Sequence, residues 1–193
     1  MRKFILILLI ITILYYWKGD YFLYKIGFGE EILYEKIDIK CKYNYINNYS
    51  NIVIETSKGT GLYPSVFMSQ AILESGYGQS LLAKKYNNHF GIKNSSKWNG
   101  KTIKMKTREV FDNKETFIKA NFRYYKKDED SFKDRVKFLI ENPRYENHGV
   151  FDSKTPEEQA ERLQKSGYAT DPNYSTYIKN IIEKYNLKVL DTL

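Results

Sequence analysis

The chain has 193 residues, of which 42% are hydrophobic and 28% charged, and its formal net charge is +8. This composition is too apolar for a disordered chain and supplies enough hydrophobic residues for one core. A single cysteine, Cys41, excludes an intrachain disulfide, and nothing in the chain resembles a Cys/His zinc site. The positive charge favours an anionic partner such as nucleic acid, anionic lipid or an acidic wall polymer, unless it serves only solubility.

The N-terminus has the pattern of a membrane-targeting segment. Arg2 and Lys3 precede an uncharged, almost wholly apolar run over residues 4–17, which ends in Tyr15, Tyr16 and Trp17. No small-residue cleavage site follows, and aromatic residues suit a membrane interface. The pattern favours an uncleaved signal anchor over residues 1–23, which would place the rest on the wall side of the cell membrane. A cleaved signal peptide and a buried core helix are the alternatives.

The segment over residues 24–45 is polar and rich in aromatic residues, and its apolar residues show no helical or strand periodicity. This pattern predicts a juxtamembrane connector. Residues 46–190 read as one α+β domain that is mostly helical. Alternating apolar residues over 101–125, with a turn signal at 112–114, predict one β-hairpin. The apolar spacing, the prolines and the capping residues predict helices over residues 51–57, 65–85, 131–141, 155–166 and 174–185.

Glu74 is the first candidate for chemistry. It lies three, four and seven positions after Ala71, Gln70 and Phe67, so it shares a mostly apolar helix face with them. Desolvation there raises the pKa of a carboxyl group and keeps it protonated, as a general acid requires. Gly76 and Gly78 follow directly and leave space beside it. The pattern alone also fits a surface glutamate at the end of a helix.

Five ordered segments closely resemble the glucosaminidase domain of glycoside hydrolase family 73, over about residues 50–188. The segments contain Gln70-Ala71-Ile72-Leu73-Glu74-Ser75-Gly76-Tyr77-Gly78, Asn87-Asn88-His89-Phe90-Gly91-Ile92-Lys93, Phe122-Arg123-Tyr124-Tyr125, Asn142-Pro143-Arg144-Tyr145 and Gly167-Tyr168-Ala169-Thr170-Asp171-Pro172. The resemblance implies a lysozyme-like fold with one small hairpin lobe. It also implies an endo-β-N-acetylglucosaminidase, which hydrolyses the β-1,4 bond following N-acetylglucosamine in peptidoglycan, with Glu74 as the general acid.

The second catalytic group is less clearly marked. The family usually has an acidic residue on the hairpin lobe, and Glu109 fits this position better than Glu115, which lies near the turn. Glu109 would act as a general base for water, or would only pair with a basic neighbour. The resemblance implies that Tyr168 lines the catalytic centre, where it would hold the substrate acetamido group; the alternative is a structural hydroxyl.

The remaining site predictions concern substrate contacts and partners. We expect four residues to contact substrate: Gln70, Asn88, Tyr124 and Asp171. Two of them have an alternative role, because Asp171 could cap the last helix and Asn88 could support its own loop. His89 reads as structural. We expect no metal and no cofactor, no nucleic-acid partner and a monomer. A lytic transglycosylase and a non-catalytic wall-binding module are the rival hypotheses.

Overall fold

A computed structural model describes the backbone of residues 29–111 and 114–193, and the side chains of residues 38–106 and 118–193. The predicted anchor, residues 1–23, lies outside the described residues, as does the hairpin turn at Asp112 and Asn113. Among the helices that the structure does describe, none is both long enough and apolar enough to cross a membrane. The chain divides into two compact units, residues 1–44 and residues 45–193.

The described elements are helices with a single two-stranded antiparallel sheet, which confirms the predicted α+β fold. They are α1 (Gly29–Ser57), α2 (Pro64–Ser75), α3 (Leu81–Tyr86), β1 (Thr102–Phe111), β2 (Lys114–Arg123), α4 (Asp128–Ile140), α5 (Pro143–Asn147), α6 (Pro156–Lys165) and α7 (Tyr174–Lys184), with 3₁₀ turns at Val150–Asp152 and Leu187–Thr192.

Three helix boundaries differ from the sequence prediction. Helix α1 begins at Gly29 rather than near residue 51, because its first half has no apolar stripe to reveal it. The single helix predicted over residues 65–85 is broken at residues 76–80, since Gly76, Tyr77 and Gly78 have positive φ angles and cannot continue a right-handed helix. Helix α4 begins at Asp128, so Ser131 lies inside it rather than capping it.

Helix α2 is the centre of the fold. Nine of its twelve residues are buried, which is why its sequence is apolar on nearly every side. Pro64 occupies the first turn, where its missing N–H costs no helical hydrogen bond. The helix packs against α6, α7 and the C-terminal 3₁₀ turn. Because these neighbouring elements hold α2 in place, the side chain of Glu74 in its last turn has a defined position.

The hairpin is attached to the domain at its base. Thr102 pairs with Arg123 at the base, and the register continues to the pair Phe111–Lys114 near the tip. The backbone N–H of Arg123 donates to the carbonyl oxygen of Ile92 at 2.9 Å, and Lys93 forms an isolated bridge with Phe122. The base of the hairpin is therefore joined to the loop that follows α3.

Candidate active site

Glu74 lies in the last turn of α2 and faces a cleft of about 680 Å³. The cleft runs between the loop after α3, the base of the hairpin, the C-terminal end of α4 and the loop before α7. Its charged and aromatic lining residues are Glu74, Phe90, Lys93, Lys97, Arg123, Phe138, Glu141, Arg144, Tyr145, Tyr168 and Asp171. The cleft thus has one carboxylate at the end of the central helix and several cations around it.

The chain turns away from Glu74 through three successive left-handed residues. Gly76 and Gly78 adopt φ angles of 57° and 73°, and Tyr77, which is not glycine, adopts 57°. An added Cβ at Gly76 would meet nothing within 4 Å, so the predicted space beside Glu74 is present there. At Gly78 an added Cβ would lie 3.0 Å from the ring of Tyr45, so Gly78 is a close-packing position instead.

A buried hydrogen-bond network fixes this turn. Ser75 Oγ accepts from the backbone N–H of Gly78 at 2.7 Å and lies 3.1 Å from the hydroxyl of Tyr45. The Tyr45 hydroxyl lies 2.9 Å from Nδ1 of His89, whose Nε2 lies 3.0 Å from Oδ1 of Asp128. The Tyr49 hydroxyl donates to the other oxygen of Asp128 at 2.7 Å.

The network determines the state of His89. A carboxylate can only accept hydrogen bonds, so Nε2 of His89 donates to Asp128 and Nδ1 accepts from Tyr45. Burial lowers the pKa of His89, although the nearby Asp128 opposes this, so the ring is neutral at neutral pH. His89 therefore has the structural role that the sequence predicted.

The side chain of Glu74 is exposed to the cleft, but surrounding protein atoms occupy much of the space in which water would otherwise solvate its carboxyl group. Burial raises the pKa of Glu74 to about 7, and the opposing influence is the positive charge of Arg135. About half of the molecules then carry a proton on Glu74 at neutral pH. A carboxylic acid in this state can donate a proton to an oxygen of a bound molecule.

Arg135 is a charged residue that the sequence analysis missed. It is 1% exposed, and its guanidinium lies 4.2 Å from the centre of the Phe67 ring. Within the described part of the chain, none of its three guanidinium nitrogens has a hydrogen-bond partner. The hydroxyls of Tyr168 and Tyr174 nevertheless lie near enough to favour its charged form, while burial lowers its pKa. Arg135 is therefore a buried cation close enough to Glu74 to lower the pKa of its carboxyl group.

Tyr168 lies in the same cleft as Glu74, as predicted for a residue at the catalytic centre. Its backbone N–H donates to the carbonyl oxygen of Leu163 at 3.1 Å, and its ring packs between those of Tyr145 and Tyr174. Burial raises the pKa of Tyr168, and the neighbouring charge of Glu74 adds to this effect. The hydroxyl therefore stays protonated and can donate a hydrogen bond.

The sequence profile of the glucosaminidases, described as mannosyl-glycoprotein endo-β-N-acetylglucosaminidase, matches residues 50–187. The chain belongs to this family. Like its solved members, it has a lysozyme-like domain. The catalytic domain of the autolysin Auto from Listeria monocytogenes is 37% identical, with a TM-score of 0.68 over 78% of this chain and 88% of that one. The glycoside hydrolase domain of FlgJ from Salmonella typhimurium is 31% identical, with a TM-score of 0.61 over 75% and 97%.

Two further relatives are bacterial wall hydrolases by name. The peptidoglycan hydrolase FlgJ of Vibrio parahaemolyticus is 33% identical over 144 residues, which are 73% of this chain and 46% of that protein. The exo-glucosaminidase LytG of Bacillus subtilis is 40% identical over 131 residues, which are 66% of this chain and 46% of that protein. This glucosaminidase chain thus spans less than half the length of these two relatives.

Two of the predicted substrate contacts of this glucosaminidase lie outside the cleft lining. Gln70 is fully buried and its Nε2 donates to the Tyr174 hydroxyl at 2.6 Å. Asn88 is 1% exposed; its Nδ2 donates to the carbonyl oxygens of Ile92 and Arg123, and its Oδ1 accepts from the N–H of Ile92. Asn88 holds the loop against the hairpin base, which was the alternative reading of this residue.

The other two predicted substrate contacts, Asp171 and Tyr124, and the predicted second catalytic residue, Glu109, lie in three different parts of the structure. Asp171 lines the cleft and also accepts a hydrogen bond from the N–H of Asn173 at 2.8 Å, just before α7. Tyr124 is 37% exposed and lines a separate pocket behind the hairpin base. Glu109 lies in β1 opposite Thr116, but its side chain lies outside the described part of the structure. Its role as a second catalytic group stays a prediction.

Glu141 and Arg135 are functional candidates that the sequence analysis did not single out. Glu141 follows the last residue of α4 and lines the cleft. No spacing pattern distinguishes it from other helix-end glutamates. Arg135 could have been found, because it lies three positions after Phe132 and four before Leu139, on the buried face of α4. A charge on an apolar face was the same signal that identified Glu74.

Proposed function

We propose that this chain is a peptidoglycan hydrolase that cleaves the β-1,4 bond between N-acetylglucosamine and N-acetylmuramic acid. The observation that carries the proposal is Glu74, a carboxyl group with a pKa of about 7, which shares a cleft with Tyr168. Family membership supports the reaction class, and the wall hydrolases among the relatives support the substrate. Because the relatives are much longer, their full activities do not transfer to this chain as such.

In the first step Glu74 donates its proton to the glycosidic oxygen, so that the leaving sugar departs as an alcohol. Positive charge then develops at the anomeric carbon of N-acetylglucosamine. Two routes complete the reaction. Either a second carboxylate removes a proton from an attacking water, or the substrate's own acetamido oxygen attacks and water opens the resulting ring. In both routes one water is consumed, and Glu74 recovers its proton.

Tyr168 fits the second route as a hydrogen-bond donor. Its hydroxyl stays protonated, because burial and the nearby Glu74 both raise its pKa. A protonated phenol near the anomeric centre would orient the acetamido group rather than accept a proton from water. For the first route, the candidate bases are Glu109 from the sequence, and Glu141 and Asp171 from the cleft lining.

The charge of the cleft suits this substrate. Lys93, Lys97 and Arg144 line it, against the carboxylates of Glu74, Glu141 and Asp171, while Arg123 is already paired with Asp134 at 2.7 Å. Peptidoglycan strands carry carboxylates on the peptides attached to N-acetylmuramic acid. Cations along a groove attract such a polymer and raise its local concentration.

The test is product analysis on purified cell walls with wild-type and Glu74→Gln proteins. We expect the substitution to lower kcat by about 10²–10⁴-fold, the usual contribution of a positioned general acid. Mass spectrometry of wild-type products should show new reducing N-acetylglucosamine ends. A 1,6-anhydromuramic end would instead indicate a lytic transglycosylase, and absence of any product would indicate a non-catalytic wall-binding module.

The same assay identifies the second group. Glu109→Gln and Glu141→Gln are matched amide substitutions, one on the hairpin and one at the end of α4. If Glu109 is the base, only its variant should approach the loss seen with Glu74→Gln. If neither does, and Tyr168→Phe lowers kcat, the substrate-assisted route is favoured.

A second candidate activity is removal of sugars from strand ends, because the relative LytG is described as an exo-glucosaminidase. We favour internal cleavage, as the family description states an endo-acting enzyme. The size of early products separates the two. Internal cleavage gives long fragments first, whereas an exo-acting enzyme releases small sugars from the start.

We also propose that residues 1–23 anchor the protein in the cell membrane as a monomer, with the hydrolase domain on the wall side. The charged start and the apolar run of the sequence support this. Fractionation of cells should recover the intact chain with membranes after an alkaline wash. Light scattering of the detergent-solubilised chain should give the mass of one copy, and recovery of a shortened chain in the medium would contradict the anchor.

A further inference from the structure

A second pocket lies behind the base of the hairpin, outside the catalytic cleft. It has a volume of about 400 Å³ and is bounded by the loop before β1, the segment after β2 and one side of α4. Its lining includes four lysines, Lys101, Lys126, Lys133 and Lys137, and three aromatic side chains, Trp98, Tyr124 and the buried Tyr125.

The aromatic part of this pocket is rigidly built. The Trp98 indole N–H donates to the carbonyl oxygen of Lys101 at 3.1 Å, and the guanidinium of Arg123 lies 4.8 Å from the centre of the indole ring. An added Cβ at Gly100 would lie 2.3 Å from the indole, so only glycine fits beneath it. Tyr124 is 37% exposed beside it. Trp98 is half-buried, so each of the two rings offers part of its apolar surface to a ligand.

The rim of the pocket is positively charged. The four lysines are exposed, one of them, Lys137, lies 3.6 Å from the carboxylate of Glu141, and the lining itself contains two carboxylates, Asp130 and Asp134. Asp134 already accepts hydrogen bonds from Arg123 at 2.7 Å and from the Tyr125 hydroxyl at 2.6 Å. The pocket therefore presents cations to a ligand more than anions, and it suits a molecule with carboxylates.

The pocket and the cleft are neighbours on the two sides of Arg123. Arg123 lines the cleft, and its guanidinium lies over Trp98, which lines the pocket. A polymer bound in the cleft is therefore close to the pocket. Two linked sites on one polymer strengthen binding beyond either site alone.

We propose that this pocket binds a second stretch of peptidoglycan, with sugar faces on Tyr124 and Trp98 and stem-peptide carboxylates on the lysines. The inference rests on the proposed function, because it takes the same polymer as ligand. It assigns the pocket a role in holding the wall, separate from bond cleavage. It also gives Tyr124 a substrate contact at a place away from the catalytic centre.

The test measures binding separately from cleavage. The full-length chain carries Glu74→Gln throughout, so that walls stay intact during co-sedimentation with insoluble peptidoglycan stripped of phosphate polymers. Two pocket variants are compared, Lys126→Glu/Lys133→Glu and Tyr124→Ala. The matched control, Lys58→Glu/Lys84→Glu, makes the same change of net charge at exposed lysines outside the pocket.

We expect the double pocket variant to bind stripped peptidoglycan about tenfold more weakly than the control, and Tyr124→Ala to bind several-fold more weakly than its parent. In the active background, the double lysine variant Lys126→Glu/Lys133→Glu should cleave a short oligosaccharide without peptides at the wild-type rate. Equal losses in the pocket and control pairs would overturn the proposal, because net charge alone would then explain binding.

Two further outcomes are decisive. If the pocket variants lose binding only to walls that retain phosphate polymers, the ligand is such a polymer and the assignment to peptidoglycan is wrong. If the wild-type chain cleaves nothing but the pocket variants still lose binding to stripped peptidoglycan, the proposed function fails while the pocket assignment stands. Circular dichroism of each variant confirms that the fold is retained.

Discussion

Glu74 is subject to two opposing influences, burial in the cleft and the positive charge of Arg135. Burial is the larger, and it raises the pKa of the carboxyl group to about 7. Arg135 opposes this from a position where it is 1% exposed. The balance keeps Glu74 able to lose its proton near neutral pH while holding that proton in a large fraction of molecules. The reaction requires the protonated form, so the balance determines the pH range of activity.

The first expectation concerns this pH range. As pH rises through about 7, Glu74 loses its proton, so kcat/KM should fall with a midpoint near that value. The measurement is the pH dependence of kcat/KM on a soluble oligosaccharide, whose own charge does not change. A basic limb near pH 4.5, the ordinary value for a glutamate, would show that burial does not act on Glu74 in solution.

Replacing Arg135 should shift the basic limb of the pH profile of kcat/KM. In Arg135→Met the positive charge is lost while a long apolar side chain still fills the space beside Phe67. Since the charge lowers the pKa of Glu74, its removal should shift the basic limb to higher pH. Arg135→Lys, which keeps the charge, should shift it less. If both variants fold and keep the wild-type profile, Arg135 has only a packing role.

The charge on Glu74 should also reduce stability. The folded-state pKa is raised from 4.5 to about 7, so the folded protein holds the proton more tightly than the unfolded chain does. The contribution of the Glu74 proton to the free energy of unfolding is therefore fully present below pH 4.5 and is lost as the pH rises to about 7. Glu74→Gln should therefore raise Tm by a few degrees at pH 8 and leave it nearly unchanged at pH 4.5. Calorimetry at the two pH values checks this, and an equal change at both would contradict it.

Single residues show how far the sequence predicts the site. Glu74 and Tyr168 were identified from ordered motifs, and the structure brings both into one cleft. Gln70 and Asn88 belong to the same motifs, but the structure uses them to hold α7 and the hairpin base. A motif shows that a residue type is required without showing whether substrate or backbone is its partner. That distinction depends on three-dimensional contacts between residues far apart in the chain.

At the scale of elements, the end of α2 is determined by residues of other elements. The turn through Gly76, Tyr77 and Gly78 leaves the right-handed helix because its φ angles are positive, although the N–H of Tyr77 still donates to the carbonyl oxygen of Ile72 at 3.2 Å. Ser75 links it to Tyr45 of α1, and His89 links Tyr45 to Asp128 at the start of α4. The position of Glu74 thus depends on three helices at once.

Loss of Asp128 should weaken this arrangement. In Asp128→Ala, the N–H of His89 and the hydroxyl of Tyr49 lose their acceptor, and unpaired buried donors cost about 1–3 kcal/mol each. Because Asp128 is 37% exposed, water can replace it in part, so we expect a loss of about 1–2 kcal/mol in urea unfolding. Glu129→Ala removes a charge from the same first turn as a control and should change the free energy of unfolding by less than about 0.5 kcal/mol.

The elements themselves were mostly predictable. The proline and the capping residues of α6 gave its start correctly, with Thr155 Oγ accepting from the N–H of Glu158 at 3.1 Å. The first half of α1 was missed, because polar and apolar residues are spread around it and no face is marked. The break after Glu74 was missed because a helix pattern resumes at Leu81, and only the φ angles show that it is a new helix.

At the scale of the molecule, the second half of α1 is part of the compact unit formed by residues 45–193. Its residues from Tyr45 onward belong to the unit that contains the cleft. Tyr45 and Ile46 are 5% and 8% exposed, and Tyr49 stacks on Phe132 with ring centroids 4.9 Å apart. The match to the glucosaminidase family begins only at residue 50. These core residues therefore lie before the range that the family profile matches.

A pair of truncated proteins tests their importance. A chain of residues 38–193 keeps Tyr45, Ile46 and Tyr49, whereas a chain of residues 50–193 loses all three. We expect the longer chain to unfold cooperatively and to cleave peptidoglycan. The shorter chain should be markedly less stable, because it exposes Phe132 and leaves His89 without a donor to Nδ1. Equal thermal midpoints for the two would contradict this.

The part of α1 that supports Glu74 has a consequence for where such a domain can be joined to another chain. A junction at residue 50 would carry Glu74 and the cleft into the new chain without Tyr45 and Tyr49. The recipient would need a helix of its own with hydroxyl groups at matching positions. A junction placed before Tyr45 removes this requirement, because the supporting helix then moves together with the cleft.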